Sequence, residues 1–380
     1  MSSYDVIVIG GGIIGSSIAF ELAGANLRVL LLDSEQPGQQ ASRAAAGMLS
    51  PGPHLPSDPP LVPFAQWSLS LYPEFVAALE PASEKTAAFA RDGAIELFLS
   101  ATAEADRDAA LAQNRRLGLR AEVQNLPALR ASERLIGPAA RAALWLPDEG
   151  TVDPRLLMDA LLAAARNCGV EVRSRCVASE LLLDGRRCAG VLVGGEKVAA
   201  AHVVVAAGCF SAAFLGASGL SRFAPTRPVR GQMAALRAAG SRLRRVLRSR
   251  HGYLVPRPDG RIIVGSTLEE AGFDNRATSE GIRKLLDAAA EICPELAAAE
   301  VIQTWAGLRP GSPDDLPILG PTDVKGLLIA TGHYRNGILL APATAKLLRD
   351  WIVGSQPAFD TAIFSPMRFV APERHPDKAL

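Results

Sequence analysis

A two-domain α/β fold is what this sequence predicts, and three observations carry the prediction. A short apolar run, Val6-Ile7-Val8-Ile9, leads directly into Gly10-Gly11-Gly12-Ile13-Ile14-Gly15 and then into an apolar-periodic stretch to Ala23. Strand-like segments bracketing tight turns recur further on, as at Tyr253–Thr267. The chain has 380 residues, more than one compact core ordinarily encloses, and 48% of them are hydrophobic, enough for a second core.

The elements follow in order. Val6–Ile9 reads as a parallel strand buried on both faces. Gly10 permits a sharp turn, Gly12 lets a pyrophosphate approach the backbone, and Gly15 lets the next helix pack on the strand. That helix is read from Ile14 to Ala23 with Gly24 as its stop, and its N-terminal N–H groups and positive dipole end, beside Ile13 and Ile14, face the phosphates. Arg28–Leu32 is a second strand ending at Asp33, followed by Ser34. A carboxylate 18 residues after Gly15 accepts the ribose hydroxyls of an adenosine. The first forty residues are therefore a Rossmann-like dinucleotide site, and its acid argues against NADP without separating FAD from NAD.

Ala41-Ser42-Arg43-Ala44-Ala45-Ala46-Gly47-Met48-Leu49 is a run of small residues, readable as a helix start or as backbone lying against a flat ring system. Asp153-Pro154 opens an amphipathic helix to about Asn167, with Gly169 just past its end. Val170–Arg173 alternates as a strand. Cys188–Val193 and Lys197–Ala201 form a hairpin around Gly194-Gly195, and His202–Gly208 is a separate buried strand ending in a tight glycine. Tyr253–Arg257 and Arg261–Thr267 bracket the turn Pro258-Asp259-Gly260 as a hairpin. Arg309, between Gly307-Leu308 and Pro310-Gly311, reads as part of a rigid turn; its planar fork suits a carboxylate.

Composition narrows the function classes. Lys and Arg number 40 against 39 Asp and Glu, so neither nucleic acid nor an anionic membrane is an expected partner. The cluster Arg242, Arg244, Arg245, Arg248 and Arg250 lacks interleaved aromatics and reads as a solvated face or turn. The five cysteines, Cys168, Cys176, Cys188, Cys209 and Cys293, form no CxxC pair; no disulfide framework or metal site is expected, and a reducing, cytoplasmic location is. Met1–Asp5 lacks a basic leader, and no apolar run reaches the roughly 18 residues of a membrane span.

Together with Trp305–Gly311, Pro317–Gly320 and Gly332–Pro342, these motifs resemble the D-amino-acid oxidase family of FAD-dependent oxidoreductases, and within it the glycine-oxidising, thiamine-pathway branch. The resemblance spans nearly the whole chain but is faint over 52–150. It implies a discontinuous FAD-binding domain, 1–84, 147–218 and 309–380, and an interleaved α+β substrate domain on an antiparallel sheet, 85–146 and 219–308. It places FAD against residues 41–48 (Ala41, Ser42, Arg43, Ala46, Gly47 and Met48), Val177 at the adenine, and Gly208 beneath. The segment His333, Tyr334, Arg335, Asn336, Gly337, Ile338 and Leu339 runs along flavin and substrate. FAD is expected to be non-covalent, because the Gly307–Pro317 segment lacks the cysteine to which some members attach it.

The resemblance also makes Arg309 the holder of the substrate carboxylate with Arg335 beside it, sets Tyr253 over the substrate and puts His251 at the entrance. Leu268 stands where a methionine is common and Tyr334 where a phenylalanine is. No protein side chain is expected to act as catalyst, since the flavin takes the hydride. The implied reaction turns glycine, sarcosine or a small D-amino acid into a 2-oxo acid such as glyoxylate, the released amine (ammonia, or methylamine from sarcosine) and hydrogen peroxide, with dioxygen as oxidant, in a homotetramer. Two readings stay open: an amino-acid or secondary-amine dehydrogenase passing electrons to a quinone, and a non-catalytic FAD-bearing structural or regulatory protein. An NAD-dependent enzyme is discouraged by the 42–48 and C-terminal segments.

Overall fold

The computed structural model describes residues 4–52, 59–238 and 243–370. Arg242 lies outside them. An eight-stranded sheet carries the parallel order Leu327–Thr331, Glu196–Val205, Tyr4–Ile9, Val29–Leu32, Glu171–Arg173, with Ile318–Pro321 antiparallel at one edge. Val6 and Val8 enter one core, beneath helices Ile13–Gly24, Val62–Ser83, Pro154–Asn167 and Gly337–Val353. Ile7 and Ile9 enter another on the opposite face. The continuous apolar run thus serves two cores, as a strand covered on both faces must.

Here the structure corrects one reading. The second hairpin strand and the buried strand are a single strand, Glu196–Val205. Its first half pairs antiparallel with Arg187–Val193 (Val191 opposite Val198), its second half parallel with Tyr4–Ile9 (Val8 opposite Val204). His202 interrupts the apolar pattern but not the ladder.

The second sheet is also eight-stranded, in the order Glu300–Gly311, Arg227–Arg237, Ile262–Gly265, Gly252–Pro256, Val246–Ser249, Ala94–Phe98, Ala142–Leu146, Glu122–Val123. It is antiparallel except where Val246–Ser249 runs parallel to Ala94–Phe98. One face packs under helix Ser279–Ile292, and the other, carrying Met233, Val255 and Ile263, packs against Ala46 and Met48. Arg309 lies in the strand Glu300–Gly311, opposite Val229, rather than in a turn.

Arg244 and Arg250 are exposed, as a solvated face or turn would have them, but two members of the arginine cluster are not. Arg248 is largely buried between Glu149 and Glu96, and Arg245 pairs with the fully buried Glu133 carboxylate. Charges removed from water need such partners.

The helix Val62–Ser83, in the stretch where the sequence was least informative, locks the C-terminal helix. Pro342 lies inside Gly337–Val353 and has no N–H for the Ile338 carbonyl. The buried Tyr72 hydroxyl donates to that carbonyl instead, and the Ser68 hydroxyl bridges Leu339 O and Ala343 N. Tyr72→Phe leaves a buried carbonyl unpaired and is expected to cost about 1–3 kcal/mol in urea unfolding, with the secondary structure unchanged. A cost near zero would mean that water takes the hydroxyl's place.

Candidate functional site

A cavity of about 600 Å³ opens where the carboxyl ends of the parallel strands meet the inner face of the second sheet. In open α/β sheets this is where ligands bind. Gly10 has φ +102°, and a Cβ there would lie 2.4 Å from the Ala206 carbonyl oxygen. Asp33 ends the second strand with its carboxylate fixed by the N–H groups of Gly11 (2.7 Å) and Glu35 (2.8 Å). The Ser42 hydroxyl accepts the Ile13 N–H at 2.8 Å, so the 41–48 segment is tied to the first turn of the helix beside it.

A second helix N-terminus, that of Gly337–Val353, lines the same cavity and packs beside Ile13. Two positive dipole ends therefore face one space, which favours an anionic ligand. The turn into that second helix holds Tyr334 at φ +47°, with its N–H donated to Pro310 O at 3.0 Å. This bond pins the segment carrying Tyr334 and Arg335 to the strand carrying Arg309.

Of the residues singled out in the sequence, all line the cavity except Gly15, Arg43, Leu339, His251 and Leu268. Gly15 lies under the turn, where a Cβ would meet the Gly10 carbonyl oxygen at 1.9 Å. Arg43 turns away to form an ion pair with Asp159. Leu339 is buried in the core. His251 is exposed, 2.6 Å from Glu291 through Nδ1 while Arg250 donates to its Nε2. Leu268 is 54% exposed on the surface.

Arg309 is sunk into the cavity wall. Its Nη1 donates to the carbonyls of Arg230 (3.3 Å) and Thr267 (3.1 Å), and its Nη2 donates to the Ser266 hydroxyl (2.7 Å). A guanidinium has five N–H donors, so Nε–H and one Nη2–H remain as a free fork. Burial, and secondarily Arg335, lower its pKa while Tyr253 opposes; it nevertheless stays charged. Among the described residues no carboxylate forms an ion pair with it. A cation held this way calls for an anion from the cavity.

Sequence reasoning missed Gly231 and Ser266. A Cβ on Gly231 would fall 2.1 Å from Arg309 Nη2. A glycine inside a strand signals such a close approach, so this one was legible; Ser266 gave no signal. Gly231→Ala is expected to displace the guanidinium, the free end of a flexible side chain. KM for a carboxylate substrate should then rise at least tenfold, about 1.4 kcal/mol, while Tm stays within a few degrees. A variant with unchanged KM would show that the guanidinium position is not needed.

His333 is 2% exposed, with Nε2 3.0 Å from the Thr344 hydroxyl. Burial pushes its pKa down to about 3, so it stays neutral and serves structure. The sign of the pH dependence follows. Below about pH 6.5 the unfolded chain binds a proton that the native chain refuses, and stability falls by about 1.4 kcal/mol per pH unit. His333→Asn should flatten the loss of urea stability between pH 7 and pH 5 relative to the parent; equal slopes would contradict it.

The fold and cavity define a dinucleotide-binding protein in which a buried arginine faces the cradle. Residues 5–351 match the family described as FAD dependent oxidoreductase (DAO), and the chain belongs to it. It is 34% identical over 366 residues to a glycine oxidase of Pseudomonas putida, covering 96% of this chain and 98% of that one. It is 36% identical over 379 residues to a bifunctional protein ThiO/ThiG of Synechocystis, covering 98% of this chain and 55% of that one. The crystal structure of glycine oxidase from Geobacillus kaustophilus superposes with a TM-score of 0.90 at 32% identity, covering 97% of this chain and 99% of that one. FAD is the cofactor of the family, and the cradle fits it: close-approach glycines, a strand-end acid and two helix N-termini lie along one cavity. Among the described residues no helix is long and apolar enough to cross a membrane.

Proposed function

We propose that this protein oxidises glycine, and secondarily sarcosine and small D-amino acids, with FAD and dioxygen, and serves thiamine biosynthesis. The observation that carries the reading is Arg309: a charged fork with two free donors, no ion-pair partner among the described residues, and a cavity continuous with the dinucleotide cradle. The glycine oxidase and ThiO/ThiG relatives support the choice of substrate and pathway.

Arg309 holds the carboxylate by Nε–H and Nη2–H. Tyr253 and Met233, on the strands either side of Ile262–Gly265, wall the substrate end. The acids lining the cavity, Asp33 and Glu35, sit at the end of the second strand and His333 is held neutral; none is offered as a base, and the substrate reacts through its neutral amine. When bound, FAD supplies the acceptor for the α-hydrogen and its electron pair. In balance, glycine, dioxygen and water give glyoxylate, ammonia and hydrogen peroxide. Glycine under air should release ammonia and peroxide in equal amounts; dye reduction without peroxide would make the protein a dehydrogenase.

We further assign 1–84, 147–218 and 309–380 to the FAD domain and 85–146 and 219–308 to the substrate domain. The strands of the first sheet fall within the former set. Those of the second fall within the latter, except that Glu300–Gly311 crosses the 308/309 boundary. Arg335 and Tyr334 are placed beside flavin and substrate. Non-covalent FAD, a homotetramer and a cytoplasmic location complete the reading. Acid precipitation should release the flavin into the supernatant.

A further inference from the structure

We propose that Ser50 binds substrate, accepting a hydrogen bond from the amino group of the amino acid, and that a Glu149–Arg248–Glu96 cluster, with Glu149 buried, holds it in place. The inference rests on the amino-acid reading above. Ser50 lines the cavity although it is only 4% exposed. Its hydroxyl donates to Glu149 Oε1 at 2.7 Å and accepts from Arg248 Nη1 at 2.8 Å. A serine oxygen has one donor and two acceptor sites, so one acceptor site remains for the cavity. A fixed acceptor with no hydrogen to give suits an N–H donor.

The cluster behind it is rigid. Arg248 Nη1 also bonds both Glu149 oxygens, at 2.9 and 3.0 Å, and Nη2 reaches Glu96 at 3.1 Å. Burial pushes the Glu149 carboxyl up, while Arg248 and Ser50 hold it down. Arg248 and its two carboxyl partners thus form one hydrogen-bonded block behind Ser50, at a corner of the cavity separate from Arg309.

The register places the cluster at the substrate end. Met233, Gly265, Tyr253, Arg248 and Glu96 are successive cross-strand partners and share one face of the second sheet. Tyr253 therefore stands between Arg248 and the Gly265-Ser266 segment that bonds Arg309. A carboxylate holder and an amine acceptor on either side of one tyrosine match the two polar ends of an α-amino acid.

The test compares two ligands of the FAD-loaded enzyme: glycine, and acetate, which keeps the carboxylate and lacks the amine. Ser50→Ala should raise the glycine KM and the half-saturating glycine concentration for anaerobic flavin reduction by roughly tenfold. The acetate Kd by calorimetry and the FAD content should be unchanged, and Ser50→Thr, which keeps the hydroxyl, should restore glycine. Equal weakening of both ligands, weakening of neither, or loss of FAD from Ser50→Ala would overturn the proposal. A parent enzyme whose flavin glycine leaves oxidised would overturn the functional reading itself, and this inference with it.

Discussion

Replacing Arg309 by alanine is expected to raise the glycine KM by a factor corresponding to about 2–5 kcal/mol, the usual cost of truncating one partner of a buried charge pair. The guanidinium is fixed from behind by two carbonyls and the Ser266 hydroxyl, so its free fork is aimed before substrate arrives. Acetate binding should weaken by a similar factor, since both ligands use the same two donors. Thermal stability should hold or rise, because the variant removes a buried cation that forms no ion pair among the described residues. Arg309→Lys should recover little: an ammonium has no planar fork with which to keep three partners and still present two donors. A fall in Tm with unchanged KM would instead make Arg309 a structural residue.

The second large effect is expected at Gly15. A Cβ there would lie 1.9 Å from the Gly10 carbonyl oxygen and 3.1 Å from its carbon. Both are backbone atoms of the turn that defines the cradle, so neither can swing aside. Gly15→Ala should push the helix Ile13–Gly24 off the strand Tyr4–Ile9 and destabilise the protein by at least the upper end of the about 1–3 kcal/mol typical of overpacking. The purified variant should lack FAD, read from its absorbance between 350 and 500 nm, a band characteristic of roughly any oxidised flavin. Gly24→Ala is the control: a Cβ there meets nothing within 4 Å. Full FAD occupancy in Gly15→Ala would mean that the turn tolerates a shift.

What could be read in advance followed from local rules. The strand, glycine turn, helix, strand and acid of residues 6–33 each depend on their immediate neighbours, and the structure reproduces them within two residues. The Asp153 cap of the helix Pro154–Asn167 is likewise local, its carboxylate accepting the N–H groups of Arg155 and Leu156. What failed depended on partners distant in sequence. Arg248 looks like one of several surface arginines until Glu149 and Glu96 are brought to it from 99 and 152 residues away. Arg309 looked like a turn residue because glycine and proline flank it, yet those residues let a strand run close beside Gly231 and Ala44. His251 and Leu268 were placed at the substrate by resemblance; one is tied to Glu291 and the other lies on the surface. Ser266 and Ser50 carried no pattern, since a single hydroxyl acquires meaning only from the groups that fix it.

The most direct test of the central claim is the reduction of the purified holoprotein under strictly anaerobic conditions. Glycine should bleach the oxidised flavin completely, sarcosine and D-alanine should do so more slowly, and L-alanine should not; admitting air should restore the colour with one peroxide per flavin. A flavin that stays oxidised with glycine, sarcosine and D-alanine alike would contradict the account, whatever the variants of Arg309 do.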